Sequence, residues 1–186
     1  NSDSNMYLAQ LEQIFQGKTA TWKQLDKRSK LDSIHVVFDQ NQSSNVNMLF
    51  NLFVKNKQFP SYCKAAKSNV EVIEFVKNNK NALGVIGAAW ISDADDTTHL
   101  RFRNEVRIVA VSEDSSEFFQ PYQSYIATEE YPLVRHVYII SKEARAGLGS
   151  GLMAFIARDK GQRIVLKTGL VPATMPVRLV EINPGE

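Results

Sequence analysis

The sequence predicts an α/β fold, and three observations carry that prediction. A short apolar run, Ile34 to Phe38, is rich in β-branched residues and has no internal breaker, as a buried strand requires. It is followed at once by apolar residues at helical spacing, Val46, Leu49, Phe50, Phe53 and Val54, the pattern of an amphipathic helix. A second such pair comes next, in the opposite order. Ser68 with Glu71 three residues on forms a capping box opening a helix to about Asn79, and the small-residue strand ALGVIGAAWI follows. Strands alternating with helices argue for helices packed on a sheet.

The other elements follow in order. Leu8, Leu11, Ile14 and Phe15 share one helical face, and Gly17 sits where a helix ends in a left-handed residue. GKTATWKQL reads as a loop. In the strand ALGVIGAAWI, Gly84 and Gly87 suggest close approach of a neighbour. SDADDTTHLRFRNE is a polar loop, VRIVAV a strand, and SEDSSEFFQPYQSYIATEEYP irregular. LVRHVYIIS is a further strand, and one long helix is expected from Leu148 to about Thr168. GLVPATMPVRLVEI is extended and punctuated by prolines.

The totals narrow the function. At 186 residues, 44% hydrophobic and 23% charged, the chain can bury a sizeable core. A net charge of +2, with no stripe of interleaved basic and aromatic residues, gives no reason to expect nucleic acid as a partner. No apolar run is long enough to span a bilayer. NSDSNMYLAQ lacks the basic start and apolar core of a signal peptide. The chain is therefore expected to be cytosolic, or a mature or trimmed piece of an exported protein. One cysteine, Cys63, excludes an internal disulfide.

Catalytic motifs fail on spacing. ARAGLGSGLMAFIARDKGQ follows a strand and opens a helix, the context of a phosphate cradle. Its glycines, Gly147, Gly149 and Gly151, give G-x-G-x-G rather than a dinucleotide or P-loop pattern. It also resembles the pyrophosphate loop of GCN5-type acetyltransferases, but Arg145 stands two and four residues before the glycines instead of three. Asp93 to His99 lacks the glycine and alternating ligands of a calcium loop. His35, His99 and His136 have no metal-ligand spacing. No catalytic residue, metal or cofactor is expected.

The elbow between the Ile34–Phe38 strand and its helix is different. Ser43 or Ser44 can cap the helix, worth about 1 kcal/mol. Capping leaves Asp39, Gln40, Asn41, Gln42 and Asn45 unexplained. A helix end with side-chain donors beside it can hold a small anion. Alone it supplies roughly 0.3–1 kcal/mol, against the ~8 kcal/mol of micromolar binding, so a second wall is required.

As an ordered series of segments, the chain from Leu8 to Ile182 resembles the phosphate-binding proteins of bacterial phosphate ABC transporters, in the type II periplasmic-binding-protein superfamily. LEQIFQGKTATWKQL resembles the entry to the second lobe, I-F-x-G-K-x-x-x-W. IHVVFDQNQSSNVNMLF resembles the strand, anion loop and helix that usually read R-x-D-G-S-G-T. NALGVIGAAWIS is similar to the G-x-I-G-Y strand, YPLVRHVYIIS to the segment returning to the first lobe, and FIARDKGQRIVLKTGLVPA to the closing helix with its K-x-G-x-x-P tail.

The resemblance implies a periplasmic-binding-protein-like lobe with a mixed sheet flanked by helices. Residues 1–130 would form the second lobe and 131–186 a returning segment, with Tyr131 and Pro132 at the crossover. It implies no enzyme, but a solute-binding component that holds phosphate or a similar small anion between lobes through Asp39, Ser43, Ser44 and Asn45. An ABC permease would be its partner, and the full-length protein would be periplasmic or lipid-anchored. The loop departs from the pattern: Asp39 stands where an arginine is expected, and Gln42, Ser43, Ser44 and Asn45 replace the glycine-rich run. Asp39 can accept a proton from a hydrogen-bearing ligand and repels a dianion. Nothing resembles the first lobe. Without it, Val137, Ile139, Ile140, Leu152, Phe155 and Ile156 would be exposed, which favours a homodimer or a swapped C-terminal segment. The alternatives are an acetyltransferase using Gly147 to Gly151, and a non-transport binding module of the same fold.

Overall fold

The structure, a computed structural model, describes residues 4–55, 58–92, 102, 104–114 and 117–174. At its centre is β2 (His35–Phe38), flanked by β3 (Cys63–Ala65) and β4 (Ala82–Val85), both parallel to it. A second ladder pairs β1 (Asn5–Tyr7) in parallel with β5 (Ala110–Ser112). Every ladder between these strands is parallel. The antiparallel component of the expected mixed sheet is confined to the isolated bridges Thr21–Ser33 and Val111–Phe119.

Helices cover the sheet. α1 (Leu8–Phe15) ends as its sequence requires: Gly17 has φ 77°, its N–H bonds Ile14 O, and Lys18 N–H reaches Gln13 O at 2.9 Å. That pairing satisfies carbonyls the last turn leaves open. α2 (Trp22–Leu25) is a single turn whose Trp22 is buried and donates its indole N–H to Asn81 O. α3 (Ser44–Leu49) continues without a break into a wider π-helical turn, Phe50–Val54. Its open end is closed from outside, where the Gln16 amide donates to Phe53 O at 2.9 Å. Phe15, Phe38, Phe50, Phe53 and Phe59 pack ring on ring beneath it.

Strand β2 is buried on both faces. Ile34, Val36 and Phe38 join the core formed with α1 and α3. Val37 lies on the other pleat, in register with Gly84 of β4. On that face α4 (Asn69–Asn78) packs across β4 and β2 and buries Val72 and Ile73. Ser68 caps α4 by accepting from Glu71 N, while the Glu71 carboxylate accepts from Lys67 N at 2.8 Å.

Several segments differ from expectation. The stretch after β4 is not a ten-residue strand, because the chain turns at Gly87 into α5 (Ala89–Ser92). Of VRIVAV only the last two residues enter β5. The irregular stretch contains α6 (Gln123–Ala127). Residues 133–140 join no strand among the described residues, and Val137, Tyr138, Ile139 and Ile140 lie open at 66%, 77%, 53% and 86% exposure. The long final helix is two, α7 (Leu148–Ala157) and α8 (Asp159–Lys167), broken at Arg158 in an extended conformation. A Cβ on Gly161 would lie 2.4 Å from Phe155 O, so only glycine lets α8 fold back so closely. The broken end is satisfied by Gln162, which donates to Ile156 O, and by Thr174, which donates to Ala157 O. Asp93 to His99 and the tail from residue 175 lie outside the described residues.

Gly84 is the close approach its sequence suggests, and Gly87 is not. A Cβ on Gly84 would lie 2.8 Å from Val76 Cγ2 and 2.9 Å from Val72 Cγ1, whereas one on Gly87 meets nothing within 4 Å. Overpacking of this kind costs about 1–3 kcal/mol. Gly84→Ala should lose that much in urea unfolding, while Gly87→Ala should stay within about 0.5 kcal/mol of wild type. An unchanged midpoint for Gly84→Ala would mean that α4 does not rest on β4 in this way.

The glycine-rich start of α7 is already filled. Glu143 accepts from Gly149 N and Ser150 N, each at 2.9 Å. These bonds hold its exposed carboxyl below the ordinary glutamate value. Because the folded pKa is depressed, the cap is complete above the unfolded value and disappears as pH falls through the folded one. A side-chain NMR titration should place the Glu143 midpoint below that of an unstructured glutamate. A normal or raised midpoint would show that the cap does not form in solution.

Candidate functional site

The elbow lies at the carboxyl end of the central strand, where the sheet order reverses. The chain leaves the carboxyl end of β2 for β3 on one side, and β4 closes the other side. At such a switch point the connections diverge and open a cleft beyond the strand ends. Residues 39–43 follow the carboxyl end of β2, and the turn through Gly87 follows that of its neighbour β4.

Each sequence-predicted residue can be placed. Asp39 caps the end of β2 and is 9% exposed. A carboxylate taken from water must keep its hydrogen bonds. Asp39 does so, accepting from Gln40 N at 3.1 Å through Oδ1 and from the Asn45 amide at 3.2 Å through Oδ2. Ser43, not Ser44, is the cap, since its Oγ accepts from Val46 N at 3.1 Å. Ser44 is exposed in the first turn. Among the described residues, no acceptor meets the amides of Ser44 and Asn45, as expected of a helix start. Gln40 is tied away by its amide to Lys67 O. Asp39, Ser43, Ser44 and Asn45 therefore form one cluster, with Ser43 engaged by the backbone and Ser44 open.

A fifth residue joins them that sequence reasoning missed. Arg135 Nε donates to Asn45 Oδ1 at 3.3 Å, across ninety residues of chain. The only hint in the sequence was negative: residues 39–45 carry a carboxylate and no cation. No local pattern shows which distant arginine comes back.

Among the described residues, no group of three His, Cys, Asp or Glu side chains can hold a metal ion. Burial pushes the Cys63 thiol up to about 12, which keeps it protonated at neutral pH and so a poor nucleophile. The Gly147–Gly151 loop, the proposed acyl-CoA cradle, presents its amides to the chain's own Glu143. That lends no support to the acetyltransferase alternative.

The comparisons point the same way. The chain is 26% identical over 156 residues to the phosphate-binding protein PstS of Staphylococcus saprophyticus, covering 82% of this chain and 46% of that protein. It is 24% identical over 156 residues to PstS of Staphylococcus aureus, at 82% and 45%. The chain thus spans about half the length of the curated relatives it matches. A Clostridium perfringens structure with bound phosphate superposes with a TM-score of 0.72 at 21% identity, over 93% of this chain and 65% of that one. An ABC-type phosphate transport receptor from Vibrio cholerae gives 0.67 at 19% identity, over 95% and 66%. The family described as the PBP superfamily domain matches residues 1–160. An α/β lobe with a polar elbow at the carboxyl end of its central strand, matched over that length, belongs to the PBP superfamily.

Proposed function

We propose that this chain is the second lobe and returning segment of a solute-binding protein that serves an ABC importer, and that it takes phosphate or a similar small oxyanion at the elbow. Residues 1–130 form the lobe and 131–186 the segment that leads toward a first lobe. The observation that carries this reading is the cluster of Asp39, Ser43, Ser44 and Asn45 at the switch point of the sheet. The relatives, phosphate-binding protein PstS among them, supply the ligand class. The work is capture and release, with lobe closure around the solute and transfer to a permease. Such a protein acts outside the cytoplasmic membrane, periplasmic or lipid-anchored. No described helix is long and apolar enough to cross a membrane. These relatives lend no support to a non-transport module.

Ser44 and Asn45 replaced together by alanine in the full-length protein should cost at most about 1–2 kcal/mol of stability. Phosphate affinity should fall by more than about tenfold, because several donors are lost at once. Calorimetry reads both, and an affinity unchanged for phosphate and for other small oxyanions would refute the elbow as the site.

The open segment and α7 bear on association. Val137, Ile139, Ile140, Leu152 and Phe155 are exposed, and Ile156 is partly so. Such a strip is costly in water. In a two-lobed protein the other lobe covers it; in the 186-residue chain by itself a second copy does. Light scattering at micromolar concentration should give a dimer mass, abolished by truncation after Glu130. A mass of one chain would refute association.

A further inference from the structure

The elbow has no cation of its own. Residues 39–45 carry one carboxylate and no lysine or arginine, so an anion bound there would meet a net negative charge unless a cation came from elsewhere. The crossover segment brings one. Tyr131 and Leu133 pack against the core, and beyond them the chain has no ladder partner among the described residues. Arg135 follows two residues after Leu133, close enough in the chain to reach back to the elbow. Its bond to Asn45 makes that reach.

The Asn45 carboxamide is held at both ends, with Asp39 Oδ2 on its nitrogen and Arg135 Nε on its oxygen. This fixes its orientation, since a carboxylate can only accept and a guanidinium can only donate. The bond to Asn45 uses one of five guanidinium N–H groups. Among the described residues, no hydrogen bond or ion pair engages the Nη nitrogens.

We propose that Arg135 is the anion-contacting cation of this site: its Nε is anchored on Asn45, and its terminal nitrogens grip two oxygens of a tetrahedral oxyanion held against the elbow. The proposal rests on the reading that the elbow binds such an anion. A guanidinium suits the task because its planar fork matches paired oxygens and is never deprotonated near neutral pH. The segment that carries Arg135 also leads away from the lobe, so gripping the anion ties elbow and crossover together.

The test is titration of the full-length protein with inorganic phosphate at two salt concentrations. Arg135→Met should lose about tenfold or more in affinity and much of the salt dependence, since a charge-assisted pair is among the strongest contacts available. Arg135→Lys should recover only part, keeping the charge without the fork. Arg135→Gln keeps a donor for Asn45 and removes the charge; it should fall with Arg135→Met, and it reads the charge alone if Met unsettles the fold. Lys142→Met, an exposed neighbour, should bind as wild type does. Wild-type affinity in both Arg135→Met and Arg135→Gln would overturn the proposal while leaving the elbow reading intact. If the wild type binds neither phosphate nor any other tetrahedral oxyanion, the elbow reading fails first and Arg135 falls with it.

Discussion

Burial of β2 on both faces is the constraint from which the rest follows. Ile34, Val36, Val37 and Phe38 are each at most 5% exposed. Burying each such side chain is worth about 1.5–3 kcal/mol relative to exposure. A strand buried in this way must have its backbone paired on both edges, and β3 and β4 do that. Parallel partners need crossover connections, and these are the helices α3 and α4. β3 and β4 lie on opposite sides of β2, so the α3 connection leaves β2 for one side and the α4 connection leads from β3 to the other. The elbow's place at the end of β2 is therefore a consequence of closing the sheet, and its residue types were left for the sequence to choose.

The elbow is polar for the same reason. Asp39 follows Phe38 directly and is drawn down with it into partial burial, where an unsatisfied carboxylate would cost several kcal/mol. The turn must supply donors, and the Gln40 amide and Asn45 side chain do so. Asn45 can reach Asp39 because Ser43 starts the helix and so sets the position of residue 45 in its first turn. The cap and the cluster are one arrangement, which explains why a cap alone could not account for so many polar residues here.

What could be read in the sequence divides along physical lines. The helix of Leu8 to Phe15, the strand ending at Phe38 and the helix opened by Ser68 were legible because periodicity and capping chemistry are local. β1 and β3 were not, since three residues give no period and their strand character comes from their partners. The break at Arg158 was hidden because the polar run from Arg158 to Arg163 reads equally well as the exposed face of one helix; the close approach of Gly161 to the backbone of Phe155 and Ile156, which only glycine permits, exists only after folding. LVRHVYIIS has the composition of a strand and no ladder to join among the described residues. At the elbow the residue types were legible, but Arg135 was not, because its approach depends on where Tyr131 and Leu133 dock.

The chain is consequently uneven in what holds it. Every Val, Leu, Ile, Met, Phe or Trp buried among the described residues lies at or before Val111. Beyond the crossover the backbone is held by polar ties: the Gln123 amide on Leu166 O and Leu170 O, Gln162 on Ile156 O, and Glu143 on the start of α7. Each tie is worth about 1 kcal/mol net, and helices of nine or ten residues are marginal without an apolar face to bury. α7 carries such a face in Leu152 and Phe155 and turns it to solvent. Its stability depends on whatever covers that face. The same segment carries Arg135 to the elbow, so the covering partner also bears on how firmly the cation is held at the site.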